Sequence, residues 1–209
     1  RGGSVTWGGG GGGGAGGSIN LTAVALAGSG SLWADGGKGG PDGGTSGAGG
    51  GGGRIAVQAS ATDASSLFLS ARAGMLGGSP GGNGGAGTIA VKRPGMTDHH
   101  LLILSTAVAV GADTPVTGAS LSFASVTVHG ARVVFDAASI VTTNNLFTSS
   151  GTTTIAFSTL TASAGLWVPA GNSILTGSIV RVDSIGLTVS TVSALTLNVA
   201  TVAGVSGPL

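Results

Sequence analysis

Few side chains in this chain can do acid–base or metal chemistry. Its seven acidic residues are all aspartates (Asp35, Asp42, Asp63, Asp98, Asp113, Asp136 and Asp183), and there are three histidines, no cysteine, no glutamate and no tyrosine. Glycoside hydrolysis needs two carboxylates flanking one bond. On a fold of stacked turns, those carboxylates would lie one turn apart. One period of about 20 residues after Asp136 stands Ala156, one before Asp183 stands Ser163, and one after Asp113 stands Val133. No two aspartates stack, and the Asp-Asp and Arg-x-Lys phrases of galacturonan-cleaving enzymes do not occur. Arg181 and Asp183 share a strand face and read as an exposed ion pair.

The remaining motifs are equally bland. His99 and His100 are adjacent, so on a strand they point to opposite faces and chelate poorly; a solvated turn is expected. His129, before Gly130, also reads as a turn residue. Gly47–Gly52 fits G-x-G-x-x-G, but a dinucleotide site needs a helix afterwards, and here a strand phrase follows. After Gly37-Lys38 comes Gly39, where a phosphate loop needs Ser or Thr. The sequon Asn20-Leu21-Thr22 lies inside a strand phrase, and Asp42 has no partner in a calcium-binding repeat. Trp7, Trp33 and Trp167 offer sugar-stacking surfaces, though core or turn packing is the preferred reading. No catalytic, cofactor or metal site is therefore expected.

The elements that hold these residues repeat. Between residues 1 and 95 lie 34 of the 44 glycines, grouped around Gly8–Gly17, Gly36–Gly53 and Gly74–Gly87. Each group is followed by a strand phrase: Ser18–Leu21, Arg54–Val57, Thr88–Val91. Ile19 and Ile55 are 36 apart, and Ile55 and Ile89 are 34 apart. A second phrase, Ser31–Ala34 and Ser66–Leu69, recurs at 35. Such a period marks a repeat architecture.

From residue 120 onward the period shortens to about 20. Val126–Val128, Leu146-Phe147, Leu166–Val168 and Leu187–Val189 form one series, and Val133–Phe135, Ile155–Phe157, Ile174-Leu175 and Leu195–Leu197 a second. Ile140, Leu160 and Ile179 form a third. Alternation within a phrase, with Val126 and Val128 inward and Thr127 outward, suits strands with one buried face. The expected fold is all-β: a parallel β-helix, or solenoid, with glycine-rich extended or polyproline-II tracts stacked along one side. Residues 1–95 form its glycine-rich part with repeats of about 35 residues, and 96–209 its regular part with coils of about 20, in one continuous domain. Pro94-Gly95 punctuates the boundary. The stretch Leu101–Ala112 reads as a buried strand, since a spanning helix takes about 20 apolar residues.

Ordering glycine costs about 1–2 kcal/mol of backbone entropy per residue. Register with the strand phrases nevertheless predicts ordered, closely packed tracts, with Gly8, Gly11, Gly14, Gly37, Gly40, Gly51, Gly53, Gly78, Gly82 and Gly85 as the structural residues. A valine at Gly11 or Gly51 is expected to disrupt them.

Composition narrows the role. Charged residues make up 7%, against about 25% in an average globular domain. The net charge is +1 and mean hydropathy +0.50. Neither a nucleic-acid partner nor ordinary disorder is indicated, and no spanning segment is visible. The chain starts at Arg1, without a signal peptide, and reads as a piece of something longer. The phrases Gly16–Leu21, Gly28–Gly37 and Gly49–Val57 resemble the glycine-rich β-helical segments of bacterial secreted and surface proteins, including adhesin-like ones. The resemblance covers roughly residues 8–93. It implies an extracellular or cell-surface role and brings no catalytic residues.

The expected function is structural: a subunit of a self-assembling surface filament or an adhesive stalk, without catalysis or cofactor. Neither end carries a charged cap of the kind a solenoid needs for solubility. Val5 and Trp7 at one end, and Leu195, Leu197 and Val199 at the other, are the candidate assembly residues, with copies of the chain stacking head-to-tail. A continuing polypeptide would cover the same ends. Surface glycans are a further expected partner. The rival readings are a β-helical carbohydrate-active enzyme, a carbohydrate-binding phage or bacterial adhesin tip, and ice binding through threonines, for which no Thr-x-Thr ladder repeats.

Overall fold

Strand chemistry dominates the computed structural model, and no helix occurs among the described residues. It describes residues 10–41, 46–77, 82–105, 111–118, 120–135, 140–150, 153–169, 173–187 and 190–205, and beyond residue 143 the description is of backbone pairing. The strands are β1 (Ser18–Trp33), β2 (Arg54–Ser70), β3 (Thr88–Lys92), β4 (His100–Leu104), β5 (Thr114–Val116), β6 (Ser120–His129), β7 (Arg132–Phe135), β8 (Ile140–Ser150), β9 (Thr153–Pro169), β10 (Ser173–Leu187) and β11 (Ser190–Val205). The protein is all-β, in one mixed sheet of order β1-β2-β3-β4-β6-β8-β9-β10-β11, with β5 joined to β7 and β7 to β9.

The sequence repeat is the pairing register. Ile19 lies opposite Ile55, and Ile55 opposite Ile89. In the later half Leu121 lies opposite Val141, Val141 opposite Leu160, and Leu160 opposite Val180. Bulges adjust this clock. One between Ala23 and Ala25 takes the offset from 36 to 37 and puts Leu32 opposite Leu69 rather than Phe68; the 35-residue spacing of the phrases had aligned it with Leu67. Another between Phe123 and Ser125 puts Phe147, not Leu146, opposite Val126. An extra residue on one strand moves every later partner by one position.

The paired strand phrases of each glycine-rich unit are one bent strand. Ile55 and Leu67 would lie about 40 Å apart on a straight strand at about 3.3 Å per residue. Both belong to one cluster: Leu67, Leu69, Leu26 and Leu32 pack against the buried group of Ala34, Ile55, Val57, Ala71 and Ile89. The second half of the strand must therefore fold over the first. The alternation of exposure breaks at Val24-Ala25 in β1, where the register with β2 also shifts, and at Ser60–Thr62 in β2.

At the seam the chain reverses. Pro94-Gly95 forms the turn, with Gly95 at φ 80°, and β4 returns antiparallel to β3. The core changes side there. Ile55 and Ile89 are buried on one face, and their register neighbour on β4 is Leu102. In β4 the fully buried residues are instead Leu101 and Ile103, which align with Val126 and Val128 on the opposite face. Val133 and Phe135 complete that second core. The strand expected over Leu101–Ala112 is shorter than its apolar run: β4 ends at Leu104, and 106–110 lie outside the described residues.

Candidate functional site

Glycine builds the most distinctive surface of the molecule. Each unit's tract is two passes, one leaving a strand and one returning to the next: 34–40 and 47–53, then 71–77 and 82–87, with 10–17 ahead of β1. Toward any one neighbouring pass their amides bond at every third residue. Gly13 and Gly16 donate to the carbonyls of Ala48 and Gly51, both at 2.8 Å. Gly47 and Gly50 donate back to Gly40 and Gly37, an antiparallel pair of passes. Gly49 and Gly52 donate to Gly82 and Gly85, while Gly74 and Gly77 donate to Gly50 and Gly47. The 47–53 pass is thus bonded to four other passes.

A β-strand, with period two, has only two edges; a polyproline-II strand, with three residues per turn, presents three rows of amides. Hydrogen bonds to several neighbours at once join the glycine passes sideways through their backbones into one network. It needs glycine at particular rows. A Cβ on Gly50 would overlap the Gly14 carbonyl, and one on Gly53 the Gly17 carbonyl. A Cβ on Gly51 would meet only the Gly85 oxygen, at 3.9 Å, and one on Gly14 nothing within 4 Å. The disruption expected from a side chain at Gly51 is thereby corrected, because its row faces outward.

Several residues that are not glycine occupy such rows, while Ala34, Ala71 and Ala86 are buried. The 34–41 segment reads Asp35-Gly-Gly-Lys38-Gly-Gly-Pro41, and Lys38 and Pro41 are exposed. Ala15 and Ala48 are exposed on their passes. A triplet of one free position and two glycines was present in the sequence and would have found the required rows; a register of 35 residues alone does not. Gly11, Gly14, Gly37, Gly40, Gly51, Gly53, Gly82 and Gly85 all lie in these passes, whereas Gly8 and Gly78 lie outside the described residues. So do Val5 and Trp7. Leu195, Leu197 and Val199 belong to β11, which among the described residues pairs with β10 on one edge only.

The described aspartates are dispersed, each with its own partners. Asp35 ties neighbouring units at the strand-to-tract corner, accepting from the Ser70 hydroxyl and the Arg72 amide, both at 2.6 Å. Asp113 pairs with Arg132 at 2.6 Å, both half exposed. Asp63 is covered locally rather than sunk in a core. The Ser65 hydroxyl and amide hold its pKa below the usual value, Arg93 at 3.5 Å adds to this, and partial desolvation opposes it. Asp98 accepts from the Ser122 hydroxyl at 3.1 Å, and the His100 ring meets the Ser125 hydroxyl. No three metal-ligating side chains converge among the described residues. Asp42 and Asp136 lie outside them, and Arg181 and Asp183 are placed only as backbone positions of β10.

Of the core or turn packing expected for Trp33, packing in the core does not occur. Trp33 is 59% exposed, and its ring lies 5.4 Å from that of Phe68, itself 46% exposed on the neighbouring strand. Comparisons of the chain with protein-family models, with curated proteins and with solved structures found no match. No helix is long and apolar enough to cross a membrane among the described residues.

Proposed function

We propose that this chain is a non-catalytic structural segment of an extracellular, cell-surface protein: a coil stack that serves as an adhesive stalk or filament subunit. In this reading the strands wind as a parallel β-solenoid, the glycine bundle running along one side. The observation that carries it is the near-sequential strand order from β1 to β11, with a repeating register that bulges adjust and, in the first half, backbone-bonded glycine passes on the same repeat. Such a stack is extended and needs no staple beyond its neighbours. Its likeness to the glycine-rich segments of bacterial surface proteins points the same way.

The partners proposed are copies of the chain, meeting along the stacking axis. β1 and β11 each pair on one edge among the described residues, and a free strand edge is a template for another strand. Sedimentation velocity and negative-stain microscopy test this. Rods longer than one chain are expected, and Leu197→Asp should shorten them, because a carboxylate would enter a buried contact. A stable monomer at high concentration would sink the assembly reading. Polysaccharide cleavage that disappears in Asp136→Ala or Asp183→Ala would sink the non-catalytic one.

The exposed Trp33–Phe68 pair favours a second reading, that the stalk also binds surface glycans. Aromatic faces stack on sugar rings. Glycan retention on immobilised protein, lost in Trp33→Ala, is the expected result.

A further inference from the structure

β3 stops at Lys92, where β1 and β2 run on to Trp33 and Ser70. Gln58 pairs with Lys92; past it, the β2 edge that faces away from β1 has no strand partner among the described residues. Below that edge lies an open groove of about 540 Å³, lined by Leu67, Leu69, Ile89, Val91, Leu102 and Leu104 among others. It follows from the change of core at the seam. β3 and β4 extend the floor of the first core, but the overlying layer ends with the second half of β2.

We propose that this edge and groove bind an extended strand of a partner protein, parallel to β2, with an acidic residue at its N-terminal end and apolar residues at alternate positions after it. The free backbone groups of β2 select a strand, because such an occupant continues the ladder that β1 already makes on the other edge. Alternation follows because one face of the strand meets the apolar floor and the other meets solvent. The acidic end follows from the basic mouth. Arg93 lines the groove with its side chain 60% exposed, contacts Asp63 through Nε at 3.5 Å, and has Lys92 beside it. Asp63 keeps its negative charge, held by Ser65 and shared with Arg93, so the mouth carries two positive charges against one and stays basic. A second copy fits poorly: β1 carries the matching phrase but is folded over on itself, so its first half would collide with β3. The proposal does not rest on self-assembly of the chain.

The probe is an acetylated, fluorescently labelled peptide with the sequence of Asp63–Ser70, the phrase that β1 and β2 have and β3 lacks. Saturable binding to the whole chain is expected by anisotropy. N-methylation of alternate peptide amides should weaken binding about tenfold in one parity and little in the other, since only one set faces β2. Serine at both leucines, or lysine in place of the aspartate, should also weaken it, the latter most at low salt. Val91→Thr, which keeps the side-chain shape and places a hydroxyl on the floor, should lower affinity several-fold while lowering the melting temperature only slightly, because Val91 is half-buried against the first core. Equal effects of the two methylation parities, or no binding up to millimolar peptide, would overturn the proposal. A dimer of the chain that the peptide disperses would assign the groove to a second copy and overturn it as well.

Discussion

Both halves of this chain bury a side-chain core, and the first adds to it a glycine bundle bonded through its backbone. In residues 10–92, strands alternate with glycine passes, and neighbouring passes are joined through backbone amides in three directions. In residues 100–135 the contacts are side chains: Ile103, Val126, Val128 and Val133 are completely buried, and Phe135 is 1% exposed. A period-two strand offers one inward face for side-chain burial, whereas a period-three strand of glycine offers its backbone to several neighbours. A side chain in the core of one half holds it together; at a bonded row of the other half it would break the packing.

Opposite substitutions should therefore have opposite consequences. The largest effect is expected from truncation in the side-chain core: Phe135→Ala should cost about 3–5 kcal/mol, read by denaturant or thermal unfolding. Enlargement should be the damaging change in the glycine bundle. Gly50→Val, directed at the Gly14 carbonyl, should destabilise by about 1–3 kcal/mol or more, whereas Gly51→Ala should change little. Equal melting temperatures for Gly50→Val and Gly51→Ala would remove the case for a row-specific bundle. Amide exchange sharpens the same point. The donating amides Gly37, Gly50 and Gly74 should be protected as strand amides are, and free exchange there would show that the passes are not bonded.

Smaller effects separate the polar ties. Asp35→Asn should lose about 1–2 kcal/mol, since two donors from the next unit converge on one of its oxygens. The smallest is the titration of Asp63. Its folded pKa lies below the unfolded value of about 3.8, so its contribution is full above that value and is lost as pH falls through the folded pKa. Comparing Asp63→Asn with wild type should show a difference at pH 6 that shrinks at pH 3. A difference that grew toward acid would contradict the assigned role of Ser65.

The repeat was legible because register is a matter of counting: Ile19, Ile55 and Ile89 stand opposite one another as their spacing requires. The inward side of Val126 and Val128 was legible because alternation is local to the strand. Row-specific glycine was also present, in Asp35-Gly-Gly-Lys38-Gly-Gly-Pro41, as a period of three within a period of about 35. The bulges that set Leu32 against Leu69, and Phe147 against Val126, were not legible, because one extra residue between similar small polar residues leaves no compositional mark.

What the sequence determined by itself is the all-β character, the two periods and the place where they change, since strand propensity, alternation and Pro94-Gly95 act over a few residues. Only the tertiary structure decided that β4 returns antiparallel to β3, moving the core from the face of Ile89 to that of Leu101 and Ile103. It also decided that Trp33 lies outside, against Phe68, and that the second half of β2 is left with an open edge. Each depends on which distant segment arrives at a strand's edge or face, and the free energy of that choice is distributed over residues far apart in the chain.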